Sequence, residues 1–193
     1  MLELNLKETA MRKMWQRAGL VAALVAATAG GVMIASGVAN AQDVTASNSG
    51  PAAVAANKRV VEAFMTDVLD GHRGDHAAQY MTPGMSWHGG TVGTVAGRDN
   101  VAGLMTLVVT SIPDLHADVQ DIFGQGDKVV VRLVVSGTLK GDLLGVHGAG
   151  QHVQWDAIDL YHLQGCKISE EWAGEDFTAF LNTTGTYKAP WIP

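Results

Sequence analysis

The stretch "HADVQDIFGQGDKVVVRLVVSGTL", residues 116–139, decides the fold class of this chain. Its apolar residues alternate with polar ones on both sides of a turn at Gly124–Asp127, which predicts two β-strands joined as an antiparallel hairpin. Two more alternating runs follow at residues 151–163 and 167–173, separated by a Gln-Gly turn. The second half of the chain is therefore predicted to form consecutive antiparallel strands.

Helical periodicity flanks these strands. Apolar residues recur at three- and four-residue spacing at residues 57–70 and 98–112, and two shorter segments, 75–81 and 178–185, are also predicted to be helical. Helices followed by hairpin-linked strands predict an α+β domain, in which the helices pack on one face of an antiparallel sheet.

The first 41 residues have the pattern of a secretory signal peptide. Three basic residues precede an apolar run at residues 18–39, and Ala39-Asn40-Ala41 is a small-x-small cleavage site. We expect export by the Sec route to a secreted or periplasmic location. Retention as a membrane anchor is the alternative, because about 20 apolar residues can span a bilayer.

The sequence divides into four parts on this basis. They are a signal peptide at residues 1–41, a flexible linker at 42–56, a folded domain at 57–185 and an irregular tail at 186–193.

Charge and cysteine content exclude several functions. The chain of 193 residues has 13 basic and 19 acidic side chains, and cleavage after Ala41 leaves nine and 17, a net charge of −8. A nucleic-acid partner needs a basic surface, which this composition lacks. The single cysteine, Cys166, has no internal disulfide partner and is predicted to be buried, with a disulfide-linked dimer as the alternative.

Four segments in this order resemble the SnoaL-like polyketide cyclases. They are "NKRVVEAFMTDVLDG", "YMTPGMSWHGG", residues 111–150, and "IDLYHLQGCKISEEWAGEDFTAFLNTTG". These cyclases belong to the superfamily of nuclear transport factor 2 and ketosteroid isomerase. The resemblance implies a curved antiparallel sheet wrapped by three helices, forming a cone with an apolar cavity. It also implies cofactor-free acid–base chemistry on a hydrophobic carbonyl compound, with no metal.

The resemblance places the acid–base carboxylate of the cyclases at Asp176, four residues after Trp172. An apolar wall that raises the pKa of Asp176 would make it a competent base. The alternative is that Asp176 caps the helix that follows it. His88, in "SWHGG", is the second candidate catalytic residue, as a stabiliser of the forming enolate, or else a structural histidine.

Strand alternation supplies the candidate substrate-binding residues. Asp159 and Tyr161 share a face within "WDAIDLYHL", so that a carboxylate lies among apolar and aromatic neighbours. Asp159 is either a polar group in the cavity or the partner of Arg132 in an ion pair between strands. Trp172 and Arg132 complete the candidate substrate-binding set.

The remaining acidic residues of "EEWAGED", residues 170–176, are expected at the surface. Alternation from Ile168 places Glu171 on the solvent face and leaves Glu170 ambiguous, and Glu175 is predicted to be solvated. The histidines have no recognised metal-ligand spacing, which predicts no metal site.

Three functions stay open at this point. The first is an exported cyclase-type or isomerase-type enzyme with Asp176 as general base. The second is a non-catalytic module that binds a small hydrophobic ligand in the same cavity. The third is an interaction domain that forms a homodimer through the open face of its sheet.

Overall fold

Helix α1 spans Pro51–Phe64 and begins inside the stretch predicted to be a linker. Pro51 occupies the first helical turn, where the missing backbone N–H costs nothing. The computed structural model describes residues 50–192, so the predicted signal peptide and the first part of the linker lie outside the described residues. The Asn57 side chain donates a hydrogen bond to the carbonyl of Gly126, 3.1 Å away, and ties α1 to the sheet.

Short non-α helical turns connect α1 to the first strand. A π-helical segment, Met65–Asp70, continues α1, and a 3₁₀ segment, Gly74–Tyr80, leads into the sheet. Helix α2 spans Arg98–Ser111, and the short helix α3 spans Phe177–Thr183. Within residues 50–192, no helix is long and apolar enough to cross a membrane.

Six strands form one curved, mostly antiparallel sheet. In chain order they are β1 (Met81–His88), β2 (Thr94–Ala96), β3 (His116–Gln125), β4 (Lys128–Leu139), β5 (Gln151–Gln164) and β6 (Lys167–Glu175). Their order across the sheet is β2-β1-β6-β5-β4-β3. The pair β1 and β6 is parallel, and every other neighbouring pair is antiparallel.

Strand β6 contains a β-bulge that decides which of its side chains face the core. The pairing with β5 jumps from Ile168 to Glu170 between successive β5 residues, so that Ser169 lies unpaired. An extra residue reverses the alternation of side chains beyond it. Consequently Ile168 and Glu171 are both buried, whereas Trp172 is 39% exposed.

Helices α1 and α2 cover one face of the sheet, which we call the inner face. The buried core lies between the helices and this inner face, and it includes Val61, Phe64, Val68, Val101, Met105, Val129, Val131 and Leu133. The opposite, outer face carries several exposed apolar side chains, namely Phe123, Ile158 and Trp172. The α+β prediction is therefore confirmed, with the helices on one face.

The prediction that Cys166 is buried is wrong, because this residue lies in the turn between β5 and β6. The structure places this cysteine at the surface, in the left-handed region with φ 58°. Gly165 precedes it with φ 57°, and two successive residues at positive φ are the geometry of a two-residue hairpin turn. A residue at the tip of such a turn points away from the core, so Cys166 is not buried.

Candidate functional site

A cavity of about 90 Å³ lies between the inner face of the sheet and the helices. Its lining is mostly apolar and includes Phe64, Leu104, Met105, Val108, Leu133 and Phe180. Two tryptophans, Trp87 and Trp155, add aromatic walls. An apolar, largely enclosed space of this kind has a low local dielectric constant, so electrostatic interactions inside it are stronger than in water.

Three carboxylates and one phenol line this apolar cavity. Strands β5 and β6 supply them: Tyr161 pairs directly with Glu171, and Asp159 pairs with Ala173 one step along the ladder. Glu175 follows two residues after Ala173 on the same inner face. Asp159 is therefore the diagonal neighbour of both glutamates, and the three carboxylates interact.

Hydrogen bonds satisfy only part of this group. The Tyr161 hydroxyl donates to Glu171 Oε1 at 3.2 Å, and the backbone N–H of Gly174 donates to Asp159 Oδ1 at 3.2 Å. The Trp155 indole N–H donates to Glu175 Oε2. Among the described residues, Glu171 Oε2 is buried and has no hydrogen-bond partner of good geometry.

Burial makes these carboxylates weaker acids than ordinary ones. Desolvation, with a further contribution from the charge of Glu175, raises the pKa of Glu171 to about 8, against the opposing hydrogen bond from Tyr161. Desolvation likewise raises the pKa of Glu175 to about 7, against the hydrogen bond from Trp155. Burial and the two glutamate charges hold the pKa of Asp159 well above its usual range. The cavity therefore contains groups that exchange protons near neutral pH.

Asp176 lies outside this cavity. Its side chain is exposed and caps α3 by accepting a hydrogen bond from the Ala179 N–H at 3.1 Å. The apolar wall expected around Asp176 is absent from its position, because the chain turns from β6 into α3 at this residue. Glu175, one residue earlier, lines the cavity instead.

His88 and Trp172 lie together on the outer face. Their rings stack with centroids 5.3 Å apart, and His88 Nδ1 is 3.2 Å from the Thr94 hydroxyl. Neither residue lines the cavity. The bulge at Ser169 explains the position of Trp172, because it reverses the alternation of side chains between the two faces in the rest of β6.

Arg132 also lies on the outer face, where it forms an ion pair with Asp121 at 2.8 Å. The alternative pairing of Arg132 with Asp159 is therefore wrong. The two residues belong to opposite faces, because Arg132 stands opposite Ile158, the outward neighbour of Asp159. Asp159 and Tyr161 are the predicted substrate-binding residues that line the cavity.

Glu171 and Glu175 were predicted to be solvent-facing, and the structure corrects both positions. Glu171 is 4% exposed and Glu175 is partly buried, each lining the cavity. Simple alternation from Ile168 could not place them, because the bulge adds one residue. No described group of three His, Cys, Asp or Glu residues is arranged to hold a metal ion.

Comparisons with known proteins place this geometry in a family. A sequence model of the SnoaL-like polyketide cyclases matches residues 59–183. No curated protein sequence matches the chain.

Solved structures with the same fold cover most of the domain. A proposed SnoaL-like polyketide cyclase from Jannaschia sp. CCS1 has a TM-score of 0.63 and 22% identity, covering 69% of this chain and 94% of its own. AclR from Streptomyces galilaeus, a proposed hydroxylase, has a TM-score of 0.63 and 21% identity, covering 72% and 90%. A protein from Catenulispora acidiphila DSM 44928 with a ketosteroid isomerase-like fold, in complex with trimethylamine, has a TM-score of 0.57 and 19% identity, covering 69% and 97%. These likenesses show the fold.

Proposed function

The chain belongs to the SnoaL-like polyketide cyclase family, and from this premise we propose that it is an exported, cofactor-free acid–base enzyme of cyclase or isomerase type. Its substrate would be a small hydrophobic carbonyl compound. The observation that carries the proposal is the set of raised-pKa carboxylates inside an apolar cavity. Export is supported by the signal-peptide pattern of residues 1–41.

Glu175 is the general base of the proposed reaction. Its pKa of about 7 leaves a large ionised fraction at neutral pH and matches the pKa of the ideal base at that pH. It would take a proton from the carbon next to the substrate carbonyl, and the electron pair of that C–H bond would move onto the carbonyl oxygen as an enolate. The Trp155 indole, which donates to Glu175 Oε2, would hold the carboxylate in place.

Glu171 is the acid that faces the enolate oxygen. With a pKa of about 8 it is mostly protonated at pH 7, so it can donate a hydrogen bond or a proton to that oxygen. The enolate carbon would then attack a second carbonyl, as in ring closure, or take back a proton at another carbon, as in isomerisation. Both routes balance without an added oxidant or reductant.

Cavity size limits the substrate. An engineered cavity of about 150 Å³ holds one benzene molecule, and this cavity of about 90 Å³ is smaller. A compact ketone therefore fits better than a polycyclic one, unless the helices move apart. The same small apolar space also favours the second candidate function, a binding module without turnover.

Solvent deuterium exchange tests the proposal without knowledge of the substrate. We would follow loss of the α-proton signals of cyclopentanone in D₂O at neutral pD by ¹H NMR. The purified protein should accelerate this loss over buffer, and Glu175→Gln should reduce the acceleration by about 10²-fold, the usual contribution of a general base. Glu170→Gln, on the outer face, is the matched control and should change nothing.

Two results would overturn this assignment. Loss of exchange in Asp176→Asn, with exchange retained in Glu175→Gln, would return the role of base to Asp176. No acceleration by the wild-type protein would favour the binding module.

A further inference from the structure

The charges in the cavity are unbalanced. Asp159, Glu171 and Glu175 line it, and none of the described lining residues is Lys, Arg or His. A buried carboxylate is normally paired with a cation, because desolvation of an unpaired charge is costly. In the free protein desolvation raises the pKa values of Glu171 and Glu175, so proton uptake lowers this cost.

One oxygen of this group is left for a ligand. Glu171 is 4% exposed, and its Oε1 already accepts from Tyr161. Its Oε2 has no hydrogen-bond partner of good geometry among residues 50–192, although the Trp87 indole lies near the carboxylate and favours its charged form. A ligand that enters the cavity with a hydrogen-bond donor would satisfy this oxygen.

The walls suit a positive charge. Trp87, Trp155 and Tyr161 line the same space as the carboxylates, and Trp155 packs edge-on against Phe180 with centroids 5.6 Å apart. Aromatic faces attract organic cations, and the attraction grows when water is excluded. The cavity thus combines apolar walls, aromatic faces and an unsatisfied acceptor.

We propose that this cavity binds small organic ammonium ions, with the ammonium group donating to Glu171 Oε2. The inference goes beyond the proposed function, because the ammonium binds the ionised form of Glu171, whereas the proposed reaction uses its protonated form. It shares the cavity with the proposed function but does not depend on turnover, so binding and exchange can fail separately.

A matched pair of probes tests the charge requirement. tert-Butylammonium and tert-butanol have nearly the same shape and differ mainly in charge. We would measure their binding to the full protein at pH 8 by isothermal titration calorimetry. The ammonium should bind at least about tenfold more tightly, because a charge-assisted hydrogen bond is stronger than a neutral one.

Proton release gives a second readout. The ammonium favours ionised carboxylates, so its binding at pH 7 should release protons, and its affinity should rise from pH 6 to pH 8.5. Titrations in two buffers of different ionisation enthalpy count the released protons. tert-Butanol should release none.

Variants locate the binding site. Glu171→Gln should remove the preference for the ammonium, whereas Glu170→Gln, its neighbour on the outer face, should keep it. Retained cooperative unfolding of Glu171→Gln in urea controls for damage to the fold. Equal affinity for the two probes would overturn the inference, and so would an ammonium preference that survives Glu171→Gln. Loss of deuterium exchange with intact ammonium binding would contradict the proposed function alone.

Discussion

Asp176 and Glu175 are adjacent in the chain and have opposite environments. Asp176 is exposed and satisfies an N–H at the start of α3, whereas Glu175 lines the cavity and is hydrogen-bonded to Trp155. A carboxylate in water that accepts a backbone hydrogen bond stabilises a helix, and a desolvated one exchanges protons near neutral pH. The position of each residue relative to the end of β6 decides between these roles.

Removal of the cap should therefore cost stability. We expect Asp176→Ala to lower the free energy of unfolding by about 1 kcal/mol, because the Ala179 N–H loses its partner. Urea denaturation measures this loss. Asp176→Asn should retain most of the stability, since asparagine caps equally well. An unchanged midpoint in Asp176→Ala would contradict the capping role.

Strand β6 owes its function to the bulge at Ser169. A two-residue turn at Gly165 and Cys166 pairs Gln164 with Lys167, and regular pairing from there would place Glu170 opposite Tyr161. The unpaired Ser169 shifts this register by one, so Glu171 stands opposite Tyr161 instead. The bulge thus selects which carboxylate enters the cavity.

Deletion of Ser169 should leave Glu171 in the cavity. Without this extra residue, regular pairing from Gln164 and Lys167 places Glu170 opposite His162 and Glu171 opposite Tyr161, which are the native pairs. We expect a loss of only about 1 kcal/mol in the free energy of unfolding by chemical denaturation, because the deletion removes the hydrogen bond of the Ser169 hydroxyl. Ser169→Ala removes only the hydroxyl donor to the His162 carbonyl at 3.0 Å and should cost about 1 kcal/mol. A much larger loss for the deletion than for Ser169→Ala would show that the fold needs the bulge itself.

The same bulge marks the limit of what the sequence predicts. Periodicity and resemblance suffice for the α+β fold, and the inward face of Asp159 and Tyr161 follows from regular alternation in β5. Glu171 and Trp172 were predicted on the wrong faces because a one-residue irregularity leaves no clear signal in composition. The resemblance to the cyclases placed Asp176 in the cavity, and such a resemblance does not reveal where strand β6 ends in this chain.

Across the whole molecule, buried acids oppose the net stability of the fold. Residues 50–192 place Asp159, Glu171 and Glu175 in one cavity without a basic lining residue. Each must either keep a proton or leave a charge in an apolar space, so the folded state holds protons that the unfolded chain releases.

Stability should consequently fall as pH rises. The pKa of Glu171 is 4.5 in an ordinary environment and about 8 in the fold, so the native state binds more protons between these values. We expect the free energy of unfolding to decrease by a few kcal/mol from about pH 5 to pH 8, measured by urea denaturation at several pH values. Glu171→Gln should flatten this slope, and Glu170→Gln should leave it unchanged. A profile that rises over this range would show that the carboxylates are not desolvated.

The exposed thiol of Cys166 has a practical consequence. It is the one cysteine of the 193-residue chain, and it lies on a hairpin turn rather than in the cavity wall. Maleimide chemistry would attach a single dye or surface linker at a known point while leaving the cavity open. Immobilised copies would share one attachment point, which suits biosensor assays in which many candidate compounds are passed over the same uniformly tethered protein.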